Sequence, residues 1–323
     1  MTPQLPLAAN IGLAAKRWPE TNAWAELLAE AGIHHAQFTF DLLDPVVVDD
    51  LGAFRRVREQ ANARGVEISS AFTGAGTYAQ NMLGHPDATL RDAAERWYRK
   101  AVDAAAALGA PAVGGHVGAL SARQQADPQA RAEAIERTVA AVLRIAEHAA
   151  ARGVGCLLWE IMPVAREYPA TMDETEALME RLDPLAATPV RLCLDVGHAC
   201  RDGADATERD PYAWLERLGP WARSVHLQQT DGVADRHWPF TDAFNARGIV
   251  DPERVLAIVA RLPQPVVELA LEPIPAPETP DAQVAADLRA SADFWRPALE
   301  RAHAAAPAAA PAHDDTDIRR TTT

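Results

Sequence analysis

The 323-residue chain has only two lysines, Lys16 and Lys100, so arginine supplies nearly all of its positive charge. Asp and Glu number 45 against 31 Lys and Arg, a formal charge of −14. An acidic chain without a basic run is ill suited to grip a polyanion, so no nucleic-acid partner is expected. No apolar run approaches the roughly 20 residues that span a bilayer, so no membrane partner is expected either. The opening MTPQLPLAANIGLAAKRW places no basic leader before an apolar stretch, and no signal peptide is read. Cysteine is scarce: Cys156, Cys193 and Cys200 are odd in number and lack CxxC spacing. That argues against a disulfide framework or a thiolate zinc knuckle and for a reducing cytoplasm. A glycine-rich phosphate loop is also missing. The stretch Asn10-Ile11-Gly12-Leu13-Ala14-Ala15-Lys16 does not supply one, which disfavours a doubly wound nucleotide-binding sheet.

What the chain does have is ordinary globular composition, 48% hydrophobic and 24% charged, enough for a core. A short apolar run followed by a helical segment recurs eight times. The runs are Leu7–Leu13, His35–Leu42, Val66–Phe72, Ala112–Val117, Gly155–Ile161, Val190–Val196, Ser224–Gln228 and Val266–Leu271. Their length and Val/Ile/Leu/Phe content suit buried parallel strands. Helices are read at Thr21–Ala31, Leu51–Arg64, Thr89–Leu108 and Ala122–Arg152, each followed by a glycine that can cap it in the left-handed conformation. Asp210-Pro211 and Asp251-Pro252 are helix starts, and Asp281–Ala302 closes the series. Eight alternations in about 300 residues predict a single (β/α)₈ TIM barrel over 1–303. The Ala/Pro-rich stretch 304–323 reads as a disordered tail.

Function in such a barrel sits at the C-terminal ends of the strands. The fourth run ends at His116 and the fifth at Glu160. The sixth ends at Asp195 and His198. The seventh carries His226 and Gln228 ahead of Asp235-Arg236-His237, and the eighth ends at Glu272. An isolated carboxylate inside an apolar run costs several kcal/mol unless it is paired or binds metal. Glu160, Asp195 and Glu272 with His226 therefore suit one divalent ion, Mn²⁺ first, with Mg²⁺, Co²⁺ or Zn²⁺ as alternatives. Glu268 shares the parity of Glu272 one layer deeper, as a floor salt bridge or as the ligand in its place. Lys16 and Arg17 follow the first strand and could hold a phosphate, as could Arg236. Trp18, Phe38, Phe40 and Trp159 are candidate apolar walls.

At these residues the chain resembles the xylose isomerase-like barrel superfamily over roughly residues 7–300. Glu160-Ile161-Met162-Pro163, Leu194-Asp195-Val196-Gly197-His198, His226 and Glu272-Pro273 match the ketose 3-epimerases in strand order. That resemblance implies metal ligands at Glu160, Asp195, His226 and Glu272. It makes Glu160 and Glu272 the acid/base pair acting through a cis-enediolate, and gives His198 a substrate contact. His116 and His237 are further substrate-binding candidates. Lys16-Arg17-Trp18-Pro19-Glu20, Gln37–Pro45 and His226-Leu227-Gln228 resemble a narrower group, epimerases of tetrulose phosphates such as erythrulose 1-phosphate. Asp235-Arg236-His237 and Asn81–Pro86 resemble the AP endonucleases. Those nucleases need a further His after strand three, where this chain reads Ser70-Ala71-Phe72-Thr73-Gly74.

The expectation is thus a cytoplasmic, metal-dependent ketose or ketose-phosphate 3-epimerase, with homo-oligomerisation left open. The alternatives are an aldose–ketose isomerase, an inosose-type dehydratase, a metallonuclease and a non-catalytic sugar-binding barrel.

Overall fold

A computed structural model describes residues 2–305. Eight strands alternate with helices, as the apolar runs predict: β1 Leu7–Asn10, β2 His35–Thr39, β3 Glu67–Phe72, β4 Ala112–Gly115, β5 Cys156–Glu160, β6 Val190–Asp195, β7 Ala222–Leu227 and β8 Glu268–Leu271. All neighbours pair in parallel and the order closes β1 to β8, so the fold is a TIM barrel. The large helices are α1 Thr21–Glu30, α2 Leu51–Asn62, α3 Ala88–Leu108, α4 Pro128–Arg152, α5 Met172–Leu182, α6 Pro211–Leu218, α7 Pro252–Val259 and α8 Asp281–Ala305.

Two ladders slip by one residue. Ala36 pairs with Ile68 but Gln37 with Ser70, which leaves Ser69 as the extra residue on β3. Leu192 pairs with Ala222 but Cys193 with Ser224, which leaves Arg223 extra on β7. Such bulges re-aim side chains near a site. Gly114 on β4 lies against β5 so closely that a Cβ there would sit 1.9 Å from the Leu158 carbonyl oxygen.

The main core lies between barrel and helices. Trp24, Phe38, Phe54, Trp159 and Trp295 are almost wholly buried in it. Each such side chain contributes about 1.5–3 kcal/mol by leaving water. A smaller cluster, Phe72, Ala112, Cys156, Leu158 and Cys193, forms a second buried apolar group. Burial pushes the Cys156 thiol to about 11 and the Cys193 thiol to about 12, so both stay protonated at neutral pH.

The sequence reading needs two corrections here. Ala122–Arg152 is not one helix. A short turn, Ala122–Ala126, ends at Asp127, whose carboxylate caps α4 through the Gln129 and Ala130 amides, with Pro128 at its first position. Proline fits there because its missing N–H has no partner to lose. Helix α5, capped by Thr171, lay in a stretch the periodicity did not mark. The last helix spans Asp281–Ala305. The rest of the expected disordered tail, 306–323, lies outside the described residues. Among the described residues no helix is long and apolar enough to cross a membrane.

Candidate active site

A cavity of about 640 Å³ opens at the C-terminal mouth of the barrel. Side-chain alternation turns Glu160, Asp195 and His226 inward at the ends of β5, β6 and β7, and Glu272 follows one residue after β8. One ligand atom from each of these four lies within 4.8 Å of the others. His226 is the hub. Its Nδ1 stands 2.8 Å from Glu272 Oε2, 3.3 Å from Glu160 Oε1 and 3.8 Å from Asp195 Oδ2.

This donor set fits a divalent cation. Three carboxylates converge on one imidazole, and all four residues are buried. His226 Nδ1 and Asp195 Oδ2 are buried without a well-formed hydrogen bond. Polar atoms in that condition cost about 1–3 kcal/mol each unless something binds them. Oxygen and imidazole donors suit Mn²⁺, Mg²⁺, Co²⁺ or Zn²⁺, and the set does not choose among them.

The electrostatics carry the same signature. Burial pushes the Asp195 carboxyl up to about 6, against the pull of His198 and His237. Burial also acts to raise Glu272, but the facing imidazoles of His226, His237 and His198 outweigh it and hold that carboxyl below its ordinary range. Burial works against a charged His226, yet the acidic groups around it raise its pKa well above normal.

A second tier surrounds this cluster. His198 donates from Nδ1 to the Ile161 carbonyl at 2.8 Å, so its buried Nε2 faces Asp235 at 3.4 Å. His237 reaches the Glu272 carbonyl at 3.1 Å and Asp235 Oδ2 at 3.1 Å. Burial opposes its charge, but Asp235 prevails and raises it to about 9. Asp195, His198 and His237 thereby form a second grouping of metal-type donors. Gln228 packs over Gly197 and donates to Asp195 Oδ1 at 3.0 Å and Asp235 Oδ1 at 2.7 Å. His116 lines the cavity with both ring nitrogens unpartnered, 3.4 Å from Glu167.

Not every expected residue arrives. Arg236 points out of the cavity, bound to Asp231 at 2.9 Å and lying over the Trp238 ring. Its pairing partner is a loop carboxylate five residues earlier. Arg17 lines the mouth but is consumed by the segment after β8. It donates to the Thr279 carbonyl at 2.8 Å and to Asp281 at 2.5 Å. Its charge is thus paired with Asp281 rather than left free for a phosphate. Lys16 is exposed at the mouth, its backbone at φ 65°. Phe38, Phe40 and Trp159 do not line the cavity, because strand parity sends them outward; Phe40 packs on Phe54 and Trp97. Trp18 packs on the main core. The apolar walls are Leu13, Phe72, Tyr78, Met162 and Pro273. Glu268 forms no floor salt bridge and lies outside the four-residue group.

Two residues escaped the sequence reading. Asn10 donates to Glu272 and to Gln37, and Gln37 accepts from His226. Their signal was an amide at inward parity in an otherwise apolar run.

The chain matches the family model described as "Xylose isomerase-like TIM barrel" over residues 25–298. It belongs to that family. A D-erythrulose 1-phosphate 3-epimerase from Brucella abortus (strain 2308) is 29% identical over 302 residues, covering 92% of this chain and 97% of that protein. A crystal structure described as a putative xylose isomerase from Rhodospirillum rubrum superposes with a TM-score of 0.83 at 30% identity, over 91% of this chain and 99% of that one. The D-psicose 3-epimerase of Clostridium cellulolyticum H10, solved with D-tagatose, shares the fold at a TM-score of 0.68 and 16% identity, over 91% and 99%.

Proposed function

We propose that the protein is a divalent-metal-dependent 3-epimerase of a ketose or ketose phosphate, with a tetrulose phosphate such as erythrulose 1-phosphate as its substrate. The broader statement, an isomerase-type enzyme acting on a sugar, is supported by the family and by the Brucella relative across nearly its whole length. One observation carries the finer reading. Glu160 and Glu272, from the ends of β5 and β8, face the same imidazole nitrogen at 3.3 and 2.8 Å in a cavity of sugar size.

In this reading Glu160, Asp195, His226 and Glu272 would hold the metal. A bound divalent ion polarises the ketone and acidifies the C–H beside it. One glutamate removes the proton from the hydroxyl-bearing carbon, giving the cis-enediolate of the sugar. The other returns a proton to the opposite face. Glu272, held below the ordinary carboxyl range, is unprotonated at neutral pH and ready to accept. His198 and His116 offer ring nitrogens to substrate oxygens, His237 borders the substrate with its own nitrogens held by Glu272 and Asp235, and Lys16 meets the phosphate. Phe72, Tyr78 and Met162 exclude water from the intermediate. Three free cysteines are consistent with a reducing cytoplasm.

Solvent-deuterium incorporation tests this, on a panel of ketoses and ketose phosphates with Mn²⁺-loaded protein. The expected result is label at C3 of a phosphorylated tetrulose, lost in Glu160→Gln. Label at a carbon that becomes an aldehyde would identify an aldose–ketose isomerase, and loss of water a dehydratase. Metal binding without exchange would leave a sugar-binding barrel. The Asp195, His198 and His237 grouping favours the metallonuclease as second reading. Three zinc ions per chain and cleavage of an abasic duplex would establish it. Against it, β3 ends in Phe72, whose ring lies 4.7 Å from His226, where no histidine is available.

A further inference from the structure

We propose that Gln37 and Glu268 form a positioning relay that sets His226 for metal binding. The inference rests on the reading of His226 as a metal ligand. It concerns how the imidazole is oriented, not the reaction that follows.

Glu268 sits on the barrel floor, fully buried. Burying an ionised carboxylate without compensation costs several kcal/mol. Here four neutral donors compensate it. Ser69 Oγ donates to Oε1 at 2.5 Å. Ser70 Oγ, Ser224 Oγ and Gln37 Nε2 donate to Oε2 at 2.7, 3.0 and 3.1 Å. Two neighbouring serines on one strand would ordinarily face opposite ways. The β3 bulge at Ser69 lets both reach the same carboxylate.

With Ser70, Ser224 and Gln37 all donating to it, Oε2 acts as an acceptor. It therefore fixes which end of the Gln37 amide faces it, namely the NH₂. Gln37 Oε1 points the other way and accepts from His226 Nε2 at 2.7 Å and from Asn10 Nδ2 at 2.9 Å. Asn10 is fixed in turn, because its Oδ1 accepts from the Gly12 amide at 2.9 Å. Turning the Gln37 amide over would set its NH₂ against that of Asn10 and its carbonyl against Glu268. The amide is thus locked from both sides, and His226 must keep its proton on Nε2. A neutral imidazole carries one donor and one acceptor. With Nε2 committed, the acceptor is Nδ1, the atom turned toward Glu160 and Glu272. Partners of this kind fix the tautomer and ring orientation of metal-binding histidines.

The test uses full-length protein stripped with EDTA and titrated with Mn²⁺ by calorimetry. It also uses ¹⁵N-histidine NMR of the Zn²⁺-loaded form, with His226 assigned by substitution. Wild type should show the proton on Nε2 of His226. Gln37→Leu should weaken Mn²⁺ binding by about 10–100-fold, the range for lost partners of ligating histidines. Glu268→Gln keeps the shape and should weaken binding in the same direction by less. Thermal unfolding in EDTA shows that each variant is folded, and Glu268→Gln decides the matter where Gln37→Leu is not. Mn²⁺ affinity within twofold of wild type in the folded variants, or a His226 proton on Nδ1, would overturn the relay while leaving the epimerase reading intact. Wild type that binds no Mn²⁺ would overturn the metal reading, and the relay with it.

Discussion

Asn10 and Glu272 meet across the seam where the barrel closes, Asn10 Nδ2 donating to Glu272 Oε1 at 2.8 Å. One residue ends β1 and the other follows β8. The contact occupies Oε1 and leaves Oε2 to face His226 at 2.8 Å. A hydrogen bond to a charged group is worth about 1.5–3 kcal/mol. Asn10→Ala should therefore slow C3 deuterium exchange by about 10–100-fold while the variant stays folded. An exchange rate equal to wild type would show that Glu272 needs no such support.

The three candidate phosphate contacts should separate cleanly. Lys16→Ala should raise KM for a phosphorylated tetrulose by about tenfold, in keeping with the loss of one charge-assisted contact, and leave the unphosphorylated sugar unaffected. Arg236→Ala should change neither, because Arg236 is spent on Asp231. Arg17→Ala should lower the melting temperature by untying the segment at Thr279 and Asp281. Equal KM shifts from Lys16→Ala for both sugars would count against a phosphate role.

The metal-free protein should lose stability as pH rises. His237 has a folded pKa raised from 6.5 to about 9, chiefly by Asp235 working against burial. A raised folded pKa means that the native state holds the proton more tightly. Its stabilising contribution is complete below about 6.5 and is lost as pH climbs through about 9. Asp195, raised to about 6 by burial, slopes the same way in its own range, from 3.8 to about 6. Melting temperatures in EDTA should fall between pH 6.5 and 9.5, and His237→Gln should flatten the decline. A melting temperature that rises over that span would contradict the assignment.

Two glycines should give different defects. A Cβ on Gly114 meets the Leu158 backbone at 1.9 Å, between paired strands, so Gly114→Ala should yield little folded protein. A Cβ on Gly197 meets first the end of the Gln228 side chain, 2.2 Å from its Cδ. Gly197→Ala should fold but displace Gln228 from Asp195 and Asp235, weakening Mn²⁺ binding. Unchanged metal affinity in folded Gly197→Ala would show that Gln228 does not steady Asp195.

The barrel was legible because parallel strands buried on both faces read as apolar runs. Acidic residues ending those runs marked Glu160, Asp195 and Glu272, since a carboxylate there needs a partner. Asn10 and Gln37 were passed over because a neutral amide is not costly enough to stand out. Phe38, Phe40 and Trp159 were misplaced because their position at strand ends showed burial but not which side of the wall they face. Arg236 was misplaced because its partner Asp231 lies in a loop, where spacing predicts no geometry. The break before Pro128 was written in Asp127-Pro128, the same signal read correctly at Asp210-Pro211 and Asp251-Pro252.

The formal charge of −14 gives a phosphorylated sugar a long-range cost of approach, because ligand and protein share a sign. At physiological salt that repulsion reaches about 8 Å. Lys16, exposed at the mouth, acts only at contact, and Arg17 beside it is already neutralised by Asp281. Added salt should therefore speed the encounter of an anionic sugar even as it weakens the hold of the lysine. Far from the mouth the net charge repels anions, and on the proposed reading it is contact with Lys16 that would retain a phosphorylated sugar.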